Sequence, residues 1–501
     1  INLGGIDTTA NLGLSSGEIN NITAGTLVLN SNSGNILNSA AIDRTNATLG
    51  TNLTLISGGS ITQTGAGNLV ISGAANFVSS GIGTSGNITL NNITNLFNGT
   101  LTANGTNLTI WDAPPAKQAN IMLGDVRATG SLQIYTPNGT ISQASGSVIV
   151  SGPGNFSAGG SGNITMNLSG NDFAGVITAF GTNLNITNSN ATTLGTISAT
   201  SLNVNSTGGQ ITQVGAATVT GNTSLSASGN AITVDNASNN FNTGNISASG
   251  TAVTIRNANA TTLGSISASS LNVNSTGGQI TQAGAATVTG NTSLSASGNA
   301  ITVDNAGNNF NTGNISASGT ALTIRNANAT VLGTISSTSL NVNSTGGNIS
   351  QVMPLQNPGP VTLASSGNSI LLTQSTNNLT ALTATGSNLT LAESNNITLN
   401  NTSITNTVNI TAANQIAISG SYSAANTLLN SGTLTASSLM TTNLTITNAS
   451  ANIQTGGNVT GAAIVNSGSL TSNGAFGSLA INNGGTLYTT STGTRVYGNL
   501  S

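Results

Sequence analysis

The chain of 501 residues carries only six Lys or Arg and nine Asp or Glu, and it contains neither histidine nor cysteine. A net charge of −3 over this length provides no electrostatic surface for nucleic acid or anionic lipid. The missing residue types exclude disulfides, most zinc sites and nucleophiles activated by histidine. We therefore expect no metal or cofactor and no nucleic-acid partner. We also expect no membrane insertion, because no apolar run reaches about 18 residues.

Short alternations of apolar and polar residues begin at the first residue, and Gly, Asn and Ser separate them. Over residues 1–50 this pattern predicts strands joined by turns, which we interpret as the N-terminal coils of a longer array. The opening INLGGIDTTANLG has neither the basic nor the apolar region of a signal peptide. We expect a mature product or a part of a longer protein.

Three phrases recur at one interval between residues 51 and 351. D-N-A-x-N-N-F begins at Asp235 and Asp304, and I-R-N-A-N-A-T begins at Ile255 and Ile324, so both phrases return after the same interval. I-[TS]-Q recurs at Ile61, Ile141, Ile211, Ile280 and Ile349, and its last three gaps are equal to within one position. A fixed interval is typical of repeat architectures, so we predict a regular array of units of roughly 70 residues.

Within one unit the apolar residues form short alternating bursts, such as Leu202-x-Val204 and Ile232-x-Val234, between Gly-rich turns. The pattern predicts strands, and the lack of a 3.6-residue stripe predicts essentially no α-helix. Such short strands are stabilised when they stack at about 4.8 Å in a solenoid. We predict an all-β fold, a single-stranded parallel β-helix forming an elongated rod of about 22 coils, three of about 23 residues in each unit. A β-sandwich is disfavoured because only 3% of the residues are aromatic.

The segment IWDAPPAKQANIMLGDVR at 110–127 departs from the array, because it has ordinary protein composition and holds the only Trp and the only Lys. We predict a loop that protrudes from the rod and docks a neighbouring chain or a glycan through Trp111, Asp112, Lys117 and Arg127. The alternative is a longer loop between coils that has no partner.

The few charged residues of the array keep a regular spacing. Arg256 follows Asp235 at the same interval at which Arg325 follows Asp304. Because this interval is close to one coil, we predict ion pairs between adjacent coils. The alternative is that these surface charges were copied with the repeat. Asn, Ser and Thr are expected to form hydrogen-bonded ladders, whereas like charges on adjacent coils would repel each other.

Three prolines in VMPLQNPGP at 352–360 predict a break or a loop after the regular array. The phrases NSGTLTASS and NSGSLTSNG follow within residues 361–501. We interpret this last segment as C-terminal coils with shorter, irregular repeats.

The phrase ITQxGAxTVTGNTSLSASGNAITVDNAxNNFNTGNISASGTA occurs at 211–252 and 280–321. It resembles the repeat region of filamentous-haemagglutinin-like large exoproteins, the secreted partners of two-partner secretion systems in Gram-negative bacteria. The resemblance is close over 168–351, looser over 51–167 and only compositional beyond 360. It implies a right-handed β-helix, passage through an outer-membrane transporter, a place at the cell surface, and a role in adhesion, aggregation or biofilm structure.

One departure from that family limits the comparison, since its N-terminal secretion domain is not evident at the start of the chain. The chain therefore resembles the shaft of such a protein. Some adhesins of the family carry sugars on Asn-x-Ser/Thr asparagines, which implies glycosylation at sites such as Asn107, Asn185, Asn259 and Asn328. The alternative is that these asparagines are unmodified members of turns and ladders.

Scattered acidic residues argue against catalysis, because polysaccharide cleavage needs paired carboxylates or a base beside a cationic group. We expect no enzyme. The first hypothesis is a non-enzymatic extracellular rod, which is an adhesin shaft or a fibre subunit that associates with its own copies. The alternative is a module that binds a glycan or a receptor through the Trp111 loop or the rod surface.

Overall fold

The computed structural model describes residues 1–9, 11–80, 86–114, 119–137, 139–311, 313–436, 439–453, 458–472, 474–482, 484–489 and 495–496. The chain divides into two compact units, Ile1–Ala258 and Asn259–Ser501. Within each unit the strands pair in parallel with strands one coil before and one coil after, as Leu184 pairs with Leu202. The predicted all-β parallel solenoid is confirmed, with about 21 turns in all.

The first unit contains thirty described strands, most of them two to six residues long. Strands β1 to β15 are Asn2–Leu3, Gly13–Leu14, Thr26–Ser31, Ile36–Asn38, Ile42–Arg44, Asn52–Ser57, Ile61–Gln63, Leu69–Ile71, Ala75–Ser79, Ile88–Leu90, Leu96–Phe97, Thr100–Gly105, Leu108–Trp111, Ile121–Ala128 and Leu132–Tyr135. Strands β16 to β30 are Ile141–Gln143, Val148–Val150, Gly154–Ser157, Ile164–Met166, Asp172–Phe173, Val176–Phe180, Asn183–Asn188, Thr192–Ala199, Ser201–Ser206, Ile211–Gln213, Ala217–Val219, Thr223–Ala227, Ile232–Val234, Asn245–Ser249 and Ala252–Asn257.

The second unit begins with the same pattern and ends in longer strands that turn corners without interruption. Strands β31 to β42 are Thr261–Ala268, Ser270–Ser275, Ile280–Gln282, Ala286–Val288, Thr292–Ala296, Ile301–Val303, Asn314–Ser318, Ala321–Asn326, Thr330–Ser336, Ser339–Ser344, Ile349–Gln351 and Gln356–Ser365. Strands β43 to β52 are Ser369–Leu372, Asn378–Glu393, Ile397–Ala436, Leu439–Ile446, Ala449–Ile453, Asn458–Val465, Gly468–Ser472, Ala475–Ile481, Gly485–Thr489 and Arg495–Val496.

The one helix in the described part of the chain is α1 (Ser16–Asn20), and it begins with a capping box. The Ser15 hydroxyl accepts the Glu18 N–H at 3.3 Å, and the Glu18 carboxylate accepts the Ser15 N–H at 2.8 Å. Beside this helix the side chain of Arg44 is buried. Its guanidinium donates to backbone carbonyl oxygens that include those of Ile22 (2.9 Å), Ala24 (3.1 Å) and Leu49 (3.0 Å). Backbone acceptors thus replace the water that this cation loses on burial.

Two columns of stacked strands run through the first unit. One column contains Ile141, followed in register by Ile164, Leu184, Leu202, Thr223 and Ile246. The other contains Ile61, Ile88, Leu108, Leu132, Gly154, Ile177 and Leu194, and it continues through Ile211, Ile232 and Val253. Coil length varies along the first column, because hydrogen-bonded partners on successive coils are separated by 18 (Asn185 and Asn203) to 23 (Asn222 and Asn245) positions.

The register corrects the prediction of three whole coils per unit. Three coils after Leu184 the chain reaches Ile246, but the copy of Leu184 is Val253, which lies in the other column. One repeat therefore spans three and a half coils, and consecutive copies alternate between columns. The second unit shows the same alternation: Leu271 pairs with Thr292, whereas its copy Leu340 pairs with Leu322 and Val361 of the other column.

A short third column opens at a β-bulge where the chain reads L-G-x-[IV], at 123–126, 194–197, 263–266 and 332–335. The register shifts at this phrase in β14, β23 and β39. In β14 the residues before and after the bulge pair with two different strands of the next coil, β16 and β17. A Cβ on the bulge residue Gly124 would lie 2.9 Å from side-chain carbons of Thr100 and Thr102, so the close packing requires glycine here.

The predicted break at 352–360 is shorter than expected, because β42 begins within it at Gln356. The strand has a register shift between Asn357 and Pro360, and Val361 then pairs with Leu340 in the continuing column. A bulge is one of the few strand positions that tolerate proline, since its N–H is missing from the ladder. Beyond it, laddered side chains on successive coils are separated by 17 positions (Asn426 and Asn443) or 19 (Ser450 and Ser469).

The interior is filled by the inward residues of the columns, including the recurring Phe97, Phe173, Phe241 and Phe310, which are all buried. Phe156 and Phe173 meet edge to face with ring centroids 5.8 Å apart. Thr223 and Thr292 occupy inward positions that Val361 fills in the next copy, and their hydroxyl groups are buried without a hydrogen-bond partner.

Replacing Thr223 with valine should therefore stabilise the first unit. The substitution keeps the shape of the side chain and removes a buried unpaired hydroxyl, for which we expect a gain of about 1 kcal/mol in the free energy of unfolding. Urea unfolding followed by circular dichroism measures this change. The control is Thr233→Val at a half-buried outward position of the next strand, β28. A gain from Thr233→Val as large as that from Thr223→Val would contradict the explanation.

Candidate functional site

The polar residues of the copied phrases meet inside the solenoid as pairs of amide side chains. Asn239, from the phrase N-N-F, is completely buried. Its Oδ1 accepts hydrogen bonds from Gln213 Nε2 (2.6 Å) and from the Ala217 N–H (2.9 Å). Its Nδ2 donates to Gln213 Oε1 at 2.9 Å. Gln213 is the last residue of I-T-Q, so two separate phrases close on each other through two reciprocal hydrogen bonds.

The same amide pair recurs along the chain, and in every case the asparagine is fully buried. The other four pairs are Gln63–Asn95, Gln143–Asn171, Gln282–Asn308 and Gln351–Asn377. Each asparagine Oδ1 also accepts one backbone N–H at the start of a third-column strand, as Asn171 does from Val148. The amide pair therefore connects one of the two long columns to the third column. It also satisfies polar groups that water cannot reach.

A second buried asparagine closes the third column in three of the repeats. Asn188 accepts the Phe173 N–H at 2.9 Å and donates to the Phe173 carbonyl oxygen at 3.1 Å. It thus takes the place of a backbone strand on the open edge of the column. Asn257 accepts the Phe241 N–H and Asn326 accepts the Phe310 N–H in the same way, both at 3.1 Å.

Carboxyl groups occupy this closing position in two other third columns. Asp112 follows Ile110-x as Asn188 follows Ile186-x, and Glu393 accepts the Leu379 N–H at 3.2 Å. Burial raises the pKa of Asp112 to about 7, against a smaller opposing effect of the Phe97 N–H. Burial also raises the pKa of Glu393 to about 7, although three backbone N–H groups oppose it. Neither oxygen of Asp112 has a hydrogen-bond partner of regular geometry.

A family described as repeats of unknown function (DUF5649) matches residues 33–104, 106–179, 181–248, 250–317 and 319–385. These five segments cover more than half of the chain. The chain belongs to the DUF5649 repeat family. Each matched segment contains one buried Gln–Asn pair, so the pair is a physical feature that the five DUF5649 repeats share. No curated protein and no solved structure matches the chain.

The segment predicted as a docking loop lies in the second DUF5649 repeat, and half of its residues belong to β13 and β14. Trp111 ends β13, half-buried, and its ring centroid is 5.3 Å from that of Tyr135 on the next coil. Asp112 is buried, so it cannot meet a partner, which corrects that part of the prediction. Arg127 is exposed on β14, and Lys117 lies outside the described residues.

The register places the predicted ion-pair residues on neighbouring coils. Val234 pairs with Ile255, so Asp235 and Arg256 follow at adjacent positions, and Val303 pairs with Ile324 ahead of Asp304 and Arg325. The Nε atoms of both arginines are buried without a hydrogen-bond partner. The ion pairs themselves stay a prediction.

Candidate glycosylation sites take part in ladders of side-chain amides. Asn107 Nδ2 donates to Asn87 Oδ1 at 3.0 Å. Asn328 Nδ2 donates to Asn309 Oδ1 at 2.8 Å. Asn185 Oδ1 accepts from Asn203 Nδ2 at 3.0 Å, and Asn259 is exposed. These bonds show the predicted polar ladders on the outer surface of the DUF5649 repeats, while glycosylation stays a prediction.

No group of three or more Asp or Glu side chains is close enough to hold a metal ion in the described ranges. Within that part of the chain no helix has the length and apolar character to cross a membrane.

Removing the buried amide of Asn239 should destabilise the first unit strongly. Asn239→Ala leaves the Ala217 N–H and the Gln213 amide without their partners, and we expect a loss of about 2–4 kcal/mol. The matched control is Asn203→Ala, which removes one exposed ladder amide and should cost less than about 0.5 kcal/mol. Chemical unfolding of both variants measures the difference, and similar losses would show that the buried pair has no special role.

Asp112→Asn should stabilise the first unit at neutral pH. Because burial raises the pKa of Asp112 from 3.8 to about 7, its contribution to stability is complete below pH 4 and is lost as the pH rises to about 7. Asparagine carries no charge and is the residue that closes the next repeat. We expect the variant to gain about 1–3 kcal/mol at pH 7.5 and much less at pH 4.

The measurement is thermal unfolding of wild type and variant across this pH range. Asp235→Asn, at an exposed position, is the control for the loss of one negative charge. An Asp112→Asn gain that did not change with pH, or that Asp235→Asn matched, would contradict the explanation.

Proposed function

We propose that the chain is a non-enzymatic structural protein of the bacterial cell surface, the shaft of an adhesin or a subunit of a self-assembling fibre. The observation that supports this function most directly is the use made of the repeated polar residues. In the DUF5649 repeats the glutamine and one asparagine of the copied phrases form the buried pair, and in three repeats a second asparagine forms the closing cap. The polar residues of the repeated unit therefore serve the stacking of the coils.

The charged residues fit the same function. The nine acidic residues are Asp7, Glu18, Asp43, Asp112, Asp125, Asp172, Asp235, Asp304 and Glu393. Asp112 and Glu393 close third columns, and Glu18 caps a helix. Catalysis of polysaccharide cleavage would use two carboxyl groups in one cleft, at a separation of about 5 to 10 Å. An outer surface of uncharged hydroxyl and amide ladders suits lateral contact between copies, because it carries little repulsive charge.

The extracellular location and the passage through an outer-membrane transporter rest on the resemblance of 168–351 to filamentous-haemagglutinin-like exoproteins. The lack of cysteine is compatible with this location, since folding then depends on no disulfide. Self-association also has a physical reason. The first and last strands of a solenoid have unpaired backbone groups unless another element covers them, and such edges pair readily with a second copy.

Electron microscopy of the purified chain tests the structural function. About 21 turns at about 4.8 Å predict rods on the order of 100 Å long, which should join end to end or side by side as the concentration rises. Compact particles that stay separate at high concentration would overturn the proposal. Antibody labelling of intact and of permeabilised cells tests the location independently, and labelling that requires permeabilisation would exclude the cell surface.

A further inference from the structure

The second DUF5649 repeat differs from its neighbours at two outward positions of the bulge phrase. It reads LGDVRAT at 123–129, where the other copies read LGTISAT at 194–200, LGSISAS at 263–269 and LGTISST at 332–338. Asp125 thus replaces Thr or Ser, and Arg127 replaces Ser. In a chain with 3% charged residues, two opposite charges on one face of one strand are exceptional.

These two residues line a groove of about 490 Å³ on the outside of the first unit. The groove lies across four successive strands, β9, β12, β14 and β17. Its volume falls within the range of small-molecule sites, roughly 300–1,000 Å³. The polar side chains of the lining are Asn76, Thr102, Asn104, Asp125, Arg127 and Ser147.

The polar groups of the groove are only partly used by the protein. Asp125 Oδ1 accepts the Ser147 N–H at 2.9 Å, and the Thr102 hydroxyl donates to Asn76 Oδ1 at 2.8 Å. Arg127 is exposed, and no side-chain hydrogen bond or ion pair within the described ranges involves its guanidinium. Asn104, opposite Arg127 in the ladder, is also exposed. The groove therefore presents a free guanidinium, amide donors and one carboxylate oxygen.

We propose that this groove binds an acidic saccharide, a sugar ring that carries a carboxylate beside its hydroxyl groups. The Arg127 guanidinium holds the ligand carboxylate through two parallel hydrogen bonds, which is the geometry that arginine favours. Asp125 accepts hydrogen bonds from ring hydroxyls, and the amides of Asn76 and Asn104 bind hydroxyl oxygens. The carboxylate of the ligand balances the charge that the protein leaves unpaired. This binding site is additional to the structural function and does not depend on it.

The experiment is a titration of the full chain with a panel of oligosaccharides that contain uronic or sialic acids, each paired with its neutral counterpart. Isothermal calorimetry or ligand-observed NMR measures the affinity. We expect at least one acidic member to bind, with an affinity roughly tenfold or more above its neutral partner. Equal affinity for the two members of every pair, or no binding by any acidic member, would overturn the proposal.

The chain itself supplies the variants. Asp125→Thr with Arg127→Ser turns the phrase into LGTVSAT, which differs from that of the third repeat only by valine in place of isoleucine. The fold should therefore be retained, as an unchanged thermal midpoint would show. We expect roughly tenfold or greater loss of affinity for the acidic ligand. The control is Arg256→Thr, which removes the same charge in the same unit and recreates the residue that Thr187 supplies one repeat earlier. Loss of binding in the control, or retained binding in the double variant, would show that the groove is not the site.

The binding test and the test of the structural function can fail separately. Rods that bind no acidic saccharide would leave the shaft function standing and overturn the groove. Separate compact particles that bind the saccharide through Arg127 would leave the groove standing and overturn the shaft.

Discussion

The distance between coils is the constraint on which the rest of the structure depends. Parallel strands stacked at about 4.8 Å place every side chain against a neighbour above and a neighbour below, inside and outside the solenoid. Inward positions therefore accept apolar groups, or polar groups whose hydrogen bonds are all satisfied. Outward positions favour Ser, Thr and Asn, which can donate to and accept from their neighbours, as Asn203 does with Asn185. The low charge of the chain follows from the spacing.

The buried amides show how a solenoid can specify one fold without a large aromatic core. Glutamine and asparagine both donate and accept, so Gln213 and Asn239 satisfy each other and one backbone N–H besides. A carboxyl group in an equivalent environment accepts only, unless it keeps its proton. Asp112 and Glu393 close two of the third columns, and there the closing cap becomes dependent on pH. The regular repeats, with asparagine caps, have no such dependence.

Much of the fold could be predicted from the sequence, because alternation and a fixed interval are local signals. The strand class, the near absence of helix and the approximate number of coils all followed from them. The register could not be predicted, because it depends on where each coil closes. The equal intervals suggested whole coils, but Leu184 and Val253 lie in different columns. The amide pair left a signal, because Gln213, Gln282 and Gln351 each precede their asparagine by the same interval. The burial of Asp112 left no signal in the sequence, because a carboxyl group beside tryptophan and proline is typical of an exposed loop.

The three and a half coils of each repeat have a consequence for how such a chain changes in evolution. Nearly identical copies invite recombination that deletes or adds one whole unit. A deletion of one unit would preserve every local contact, since Leu202 and Leu271 stand in the same sequence context. It would nevertheless move each later phrase to the opposite column, so that whatever the later coils display would turn to the other side. A deletion of two units would restore the original arrangement. Whether the number of repeats is odd or even therefore decides which side of the solenoid the later coils display, in addition to the effect of repeat number on length.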